Sequence, residues 1–203
     1  MNTHTKISQD NTSPTEAIAE LVNGNRRFTE NAGIKRDLKD QVIRTSSGQY
    51  PIAVIHSCID SRVPVELVFD LGIGDVFSSR VAGNIINEDV LGSMEYGCKV
   101  AGSKVIVVLG HTKCGAVTAA CNHVELGNIT ALLSKIESSV NKVESSSGNL
   151  NGAEIEQVTL LNIENSIEQI RDESSILKEM EDAGQIKIVG AVYSVESGKV
   201  EFL

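Results

Sequence analysis

Two short stretches of the chain carry side chains that can do chemistry together. The first, Val54-Ile55-His56-Ser57-Cys58-Ile59-Asp60-Ser61-Arg62-Val63, is an apolar run that ends in a thiol, a carboxylate and a guanidinium. The second, Val105-Ile106-Val107-Val108-Leu109-Gly110-His111-Thr112-Lys113-Cys114-Gly115, ends in an imidazole and a second thiol, with glycines on both sides. Cys58, His111 and Cys114 together supply three metal ligands of the kind zinc favours. Three protein ligands leave one position of a tetrahedral ion open, which marks a catalytic rather than a structural zinc. If the first stretch stays extended through Arg62, strand alternation puts Cys58, Asp60 and Arg62 on one side. Three reactive groups could then converge at one strand end.

The other cysteines and histidines read as structural. Cys98 and Cys121 are expected in the core as small apolar residues, and no CxxC pair points to redox work. His56 is expected to be structural, His4 and His123 solvated, and Lys113 exposed. A formal charge of −9 argues against nucleic acid as a partner, since that needs a concentrated positive face. Aromatic residues are 3% of the chain and Trp is absent, so base-stacking platforms and membrane-interface belts are not expected. No apolar run reaches the length of a membrane span, and the stretch from Met1 to Ser13 lacks the apolar core of a secretory signal. The expectation is a soluble cytoplasmic protein whose thiols stay reduced.

The elements that must position these residues follow from pattern. Residues 1–12 read as disordered. Ser13-Pro14-Thr15-Glu16 combines an N-cap, a proline at the first helical position and a capping-box glutamate. Ala17, Ile18, Leu21, Val22 and Phe28 then form an apolar stripe, so residues 13–34 read as a helical arm that could pack on a second subunit. Lys35 to Gln49 is a charged linker or short helix. Strands are expected at Ile52–Ser57, Asp75–Arg80, Lys104–Leu109 and Ile186–Tyr193, with an edge segment at Val200–Leu203. Helices are expected at Pro64–Phe69, Val90–Val100, Gly115–Cys121, Ile129–Val143, Ile155–Ile170 and Ser174–Asp182. Val81-Ala82-Gly83-Asn84 reads as a turn, because Gly and Asn tolerate positive φ, and Ser145-Ser146-Ser147-Gly148 as the stop after the Ile129–Val143 helix. Strands separated by helices predict an α/β fold: one domain over 1–203 with a mainly parallel sheet core flanked by helices. In such sheets, sites lie at the carboxyl ends of strands, and both reactive stretches lie at such ends.

The pair of motifs, C-x-D-x-R at Cys58–Arg62 and G-H-x-x-C-G-A at Gly110–Ala116, resembles the β-class carbonic anhydrases. The likeness runs from Leu21-Val22-Asn23-Gly24-Asn25-Arg26-Arg27-Phe28 to the terminal strands. The resemblance implies Zn2+ on Cys58, His111 and Cys114, with Asp60 and Arg62 as the catalytic dyad. It implies reversible hydration of carbon dioxide to bicarbonate and a proton, by hydroxide that Asp60 orients. With Arg62 withdrawn, Asp60 becomes a fourth zinc ligand and closes the site. Gln49, Phe77 and Tyr96 match substrate-pocket positions of the plant-like branch, and Gly115 of the second motif is grouped with them. Part of that pocket comes from a partner subunit, so the resemblance implies a homodimer or larger homo-oligomer. Three positions bear on departures: Ile59 stands where Ser or Ala is usual, and another branch's inhibitory bicarbonate pocket would need a Trp where this chain has Ile55, although Arg80 is present. That pocket is not expected here. The competing readings are a carbonyl sulfide or carbon disulfide hydrolase, and a non-catalytic protein that holds zinc or senses bicarbonate.

Overall fold

The computed structural model of the protein describes residues 3–144 and 150–203. The Ser145–Gly148 stop lies outside them. Among the described residues five strands form one sheet: β1 (Ala53–Ser57), β2 (Val76–Arg80), β3 (Val105–His111), β4 (Lys187–Tyr193) and β5 (Val200–Phe202). Their order is β2-β1-β3-β4-β5; the first four run parallel, and β5 returns antiparallel on β4. β1 and β3 are buried along their whole length, as central parallel strands covered on both faces must be.

Alternation sorts their side chains. Ile55, Val105, Val107 and Leu109 face a core with Phe69 and Tyr193, while Val54, Ile106 and Val108 face Met94, Ile163, Ile170 and Leu177. The register sets Ser57 opposite both Arg80 and Leu109, and His111 opposite Tyr193. The residues that follow Ser57 therefore emerge beside the last turn of β3, at the same sheet edge as His111.

Ten helices surround the sheet among the described residues. α1 (Lys6–Asn11) occupies a stretch expected to be disordered. It begins with a capping box between Thr5 and Ser8 and docks through buried Gln9, which donates to the carbonyls of Pro51 and Ala101, each at 2.8 Å. A helix anchored by one amide and showing an exposed Ile7 carries no apolar stripe to announce it. His4, expected to be solvated, pairs with Glu20 on the next helix at 3.1 Å.

α2 (Pro14–Thr29) starts with the expected Ser13–Glu16 capping box. Its stripe divides: Ala17 and Leu21 are fully buried in the core beside Ile52 and Phe69 of the same chain, while Val22 and Phe28 stay exposed. Asn25 fixes the helix from the buried side, donating to Val68 and Gly198 carbonyls and accepting from Val200 N–H at 2.8 Å. Gly24 allows the close approach, because a Cβ there would lie 1.9 Å from the Phe69 carbonyl oxygen. Gly24→Ala is accordingly expected to destabilise the fold by about 3 kcal/mol or more, since the obstacle is backbone and cannot rotate away. Thermal unfolding checks this; a melting temperature near the parent's would contradict the packing.

α3 (Leu38–Thr45) fills the stretch read as linker or short helix, and α4 (Val65–Val68) follows the Cys58 turn. Just after α4, Asp70 gathers Arg27, Arg36 and the Ile34 N–H around one carboxylate that is 9% exposed. Burial pushes this carboxyl upward, but the two guanidiniums and the amide overcome it and hold it below the usual range. A depressed folded pKa means stability present above the unfolded value of about 3.9 and lost as pH falls through the lower folded value. Asp70 sits at φ 46°, a conformation Asn also tolerates, so Asp70→Asn removes the charge and little else. It is expected to cost about 3 kcal/mol at neutral pH by stranding two partly buried guanidiniums. The loss should shrink toward pH 3, as urea melts at several pH values would show.

α5 (Glu88–Glu95) passes into a wide π-turn at Tyr96–Val100, where a single helix was expected. Gly97 sits in that turn against β1; a Cβ there would lie 2.5 Å from Val54 Cγ2. After β3 comes α6 (Gly115–Cys121), as expected. The Ile129–Val143 stripe divides into α7 (Gly127–Leu133) and α8 (Glu137–Val143). The bend lets Leu133, Ile136 and Val140 all reach the cluster that also holds Cys58 and Cys114. α9 (Gly152–Glu173) and α10 (Ser175–Asp182) match their patterns. α9 lies directly on β3 because Gly110 has no Cβ; one would meet Ile163 Cδ1 at 2.6 Å.

Candidate metal centre

Cys58, His111 and Cys114 converge at the carboxyl ends of β1 and β3, with their ligand atoms all within 4.8 Å of one another. The sulfurs stand 4.0 Å apart. Two thiolates held tetrahedrally on zinc at ~2.3 Å would be separated by about 3.8 Å, so the spacing suits the ion. His111 Nδ1–H donates to the Thr112 carbonyl at 2.9 Å, which leaves Nε2 with a bare lone pair. That Nε2 is buried and has no hydrogen-bond partner among the described residues. A buried acceptor without a partner is costly, and a cation between it and the two sulfurs satisfies all three.

The thiols show the same need. Contact with the Cys114 thiol, reinforced by His111 and the Gly83 N–H, lowers Cys58 against the opposing effect of burial. Cys114 is pushed upward, first by Cys58 and then by burial. Left to themselves the two sulfurs keep one proton between them; a bound cation lets both ionise. Among the described residues this is the one Cys/His/carboxylate group close enough to hold a metal. Cys98 and Cys121 lie buried elsewhere, as expected, and burial raises Cys98 to about 12.

Asp60 and Arg62 arrive beside the centre by a different route from the one expected. β1 ends at Ser57, and the chain turns, with Val63 N–H donating to the Asp60 carbonyl. Asp60 Oδ1 accepts from the backbone N–H of Arg62, and Arg80 takes the carbonyls of Cys58 and Asp60, so the chain is drawn out of the sheet. The turn, not alternation, brings the two residues together. Arg62 grips Asp60 through Nε at 2.9 Å and Nη2 at 2.7 Å, and Nη2 also reaches the Lys113 carbonyl at 3.2 Å. One guanidinium thus ties the Cys58 loop to the His111–Cys114 loop. Asp60 Oδ2 lies 3.8 Å from His111 Nε2, and the Arg62 fork above all holds its carboxyl at about 2. Arg80, with both carbonyls in its grasp, is occupied as a clamp.

Of the expected substrate-pocket residues, Gln49, Phe77 and Tyr96 do not join this centre within one chain, whereas Gly115 adjoins the ligand Cys114. Gln49 is exposed before the amino end of β1, so about 16 Å of strand separates it from Cys58. Phe77 and Tyr96 meet edge to face at 6.1 Å between ring centres. They line a hollow of about 650 Å³ with Val54, Ser79 and Ser93, and none of the three ligands borders it. Gly115 opens α6 next to Cys114 with free space where a Cβ would be. Lys113 is exposed and pairs with Glu196, while its backbone N–H is held by Glu156 of α9 at 2.8 Å. His56 is fully buried and structural, bonded to Ser79 Oγ and the Ile85 carbonyl. His123 is exposed and paired with Glu144.

A mainly parallel α/β sheet whose strand ends carry a buried Cys-His-Cys set defines a protein with a cluster that could hold a transition metal. The profile of the carbonic anhydrase family matches residues 53–200. Carbonic anhydrase 2 of Mycobacterium tuberculosis (strain ATCC 25618 / H37Rv) is 35% identical over 195 residues, covering 93% of this chain and 92% of its own. The carbonic anhydrase of Mycolicibacterium smegmatis is 34% identical over 197 residues, covering 94% of each chain. The crystal structure of the β-carbonic anhydrase CafA of Aspergillus fumigatus superposes with a TM-score of 0.74 over 93% of this chain and 89% of its own, at 24% identity. Tetrameric β-carbonic anhydrases of Sordaria macrospora share the fold at a TM-score of 0.72 and 21% identity, over 81% of this chain and 90% of theirs. A carbon disulfide hydrolase of Acidithiobacillus thiooxidans matches only 34% of the chain, at 33% identity. The chain belongs to the carbonic anhydrase family, with the fold of its β class.

Proposed function

We propose that the protein catalyses the reversible hydration of carbon dioxide to bicarbonate and a proton, with Zn2+ held by Cys58, His111 and Cys114. The observation that carries this reading is the orphaned His111 Nε2 facing two sulfurs, with the Asp60–Arg62 fork alongside. Zinc bound by these residues would acidify a water toward a pKa of ~7. Asp60, with a pKa of about 2, stays ionised at neutral pH. Its role is therefore to accept a hydrogen bond and orient the nucleophile rather than to store the released proton. Arg62 holds the carboxylate off the metal position, and its tie to Lys113 fixes the distance between the two ligand loops.

Gln49, Phe77 and Tyr96 are assigned to substrate binding in the manner of the plant-like branch. Their separation from the ligands of their own chain supports a homodimer or larger assembly in which one protomer completes its partner's pocket. Thiols that must remain free to bind metal suit a reducing cytoplasm. No helix among the described residues is long and apolar enough to cross a membrane.

Stopped-flow hydration of carbon dioxide by zinc-replete protein, with carbon disulfide offered in parallel, tests the reading. Fast proton release from carbon dioxide supports it. Hydrolysis of carbon disulfide alone would transfer the site to sulfur substrates, and inactivity on both, with zinc bound, would leave a metal-holding or sensing role.

A further inference from the structure

The Gly83 backbone N–H donates to Cys58 Sγ at 3.3 Å. The donor is aimed by an unusual backbone: Gly83 has φ 67° and ψ 16°, and the next residue, Asn84, is also left-handed at φ 44°. Glycine is needed here, because a Cβ would meet Ile136 Cδ1 at 2.8 Å and Ala116 Cβ at 3.3 Å. On one side the turn hangs from β1, where Val81 N–H donates to the Ser57 carbonyl and His56 bonds the Ile85 carbonyl. On the other side one side chain holds the same residue that faces the sulfur. Asn162 of α9, 3% exposed, donates through Nδ2 to the Gly83 carbonyl at 2.8 Å. Ser166, one helical turn further along α9, reaches only the neighbouring Asn84 carbonyl, at 3.4 Å.

We propose that Asn162 is a positioning residue for the metal centre: by clamping the Gly83 carbonyl it keeps the N–H of that glycine pointed at the Cys58 thiolate. The inference rests on Cys58 being a metal ligand. A peptide N–H on a ligating sulfur stabilises the sulfur lone pair, so less electron density passes to the metal and the metal stays a stronger Lewis acid. Partners of this kind commonly govern affinity by about 10- to 100-fold. Asn162 lies in a helix more than a hundred positions from Cys58 in sequence, and it touches neither metal nor substrate.

The test uses the intact protein loaded with cobalt(II) in place of zinc. In Asn162→Ala and Asn162→Leu the thiolate-to-cobalt charge-transfer band is expected to move to lower energy. Zinc affinity measured by chelator competition should change by about 10-fold or more. Ser166→Ala loosens the same helix-to-turn contact without touching Gly83, and its band should stay where the parent's is. If Asn162→Leu does not fold, Asn162→Ala decides alone. An unmoved band with parent-like zinc affinity in a folded Asn162 variant overturns the proposal, and so does an equal shift in Ser166→Ala. If the parent protein itself gives no thiolate-to-cobalt band, Cys58 is not a ligand, and the metal assignment falls together with this one.

Discussion

Replacing Arg62 with lysine is expected to cut carbon dioxide hydration by about 10²-fold while leaving zinc content unchanged. Charge is conserved in this substitution, so a purely electrostatic role would survive it. The structure points to geometry instead. Arg62 makes two parallel bonds to the two Asp60 oxygens and a third to the Lys113 carbonyl. A lysine ammonium is a point donor on a flexible stem and cannot span both carboxylate oxygens and a carbonyl across the site. Asp60 would then be free to rotate toward the position that its Oδ2 now flanks from 3.8 Å off His111 Nε2. Displacement of a positioning carboxylate by about an ångström is enough for a loss of this size. Because Arg62 touches none of the three ligand atoms, the metal should remain bound. Hydration kinetics with metal analysis on the same samples decide the matter. Turnover close to the parent's would show that the fork is dispensable, and loss of zinc would show that Arg62 supports the ligands rather than Asp60.

Much of this centre was legible in the residues themselves. Cys58, His111 and Cys114 announce a metal by type, and the apolar runs before Cys58 and His111 announce strands, so their meeting at one sheet edge follows from parallel topology. Asp60 and Arg62 were recognised as a pair for a reason that failed: alternation requires a strand through residue 62, but side-chain bonds from Asp60 and Arg80 to local backbone end the strand at Ser57. Such bonds depend on Arg80, from a neighbouring strand, and leave no periodic trace. α1 was missed for a similar cause. Its hold is a single buried amide, Gln9, and hydrophobic pattern is blind to polar anchors. The destination of α2 is only partly legible, because a stripe shows that a helix has an apolar face and not which surface receives it: Ala17 and Leu21 reach the core of the same chain, while Val22 and Phe28 stay exposed. The clamps from Glu156 and Asn162 act across long sequence separations through backbone groups. Only the second left a trace, in the glycine and asparagine at positions 83 and 84.

Removing zinc is expected to lower the melting temperature by roughly 10 °C, and in a His111→Ala protein that sensitivity should vanish together with the activity. A ligand bound only by the folded state stabilises it by about 4 kcal/mol when present at a thousandfold its dissociation constant. For a chain of this size each kcal/mol moves the midpoint by ~2–4 °C. The gain has a local origin. Without a cation, the buried centre holds an acceptor nitrogen with no partner and two sulfurs that share a proton. These are defects that the folded chain tolerates and metal binding repairs. His111→Ala removes the nitrogen and leaves a two-sulfur site, which holds zinc far more weakly and loses the three-ligand geometry that keeps one position open. Hydration should fall to background. The comparison needs four melting curves, parent and variant, each with zinc and after chelation. A large zinc-dependent shift in the parent alone fits a centre built by all three ligands. An equal shift in the variant would place the stabilising metal elsewhere in the chain, and no shift in the parent would mean that the buried trio closes well enough without an ion.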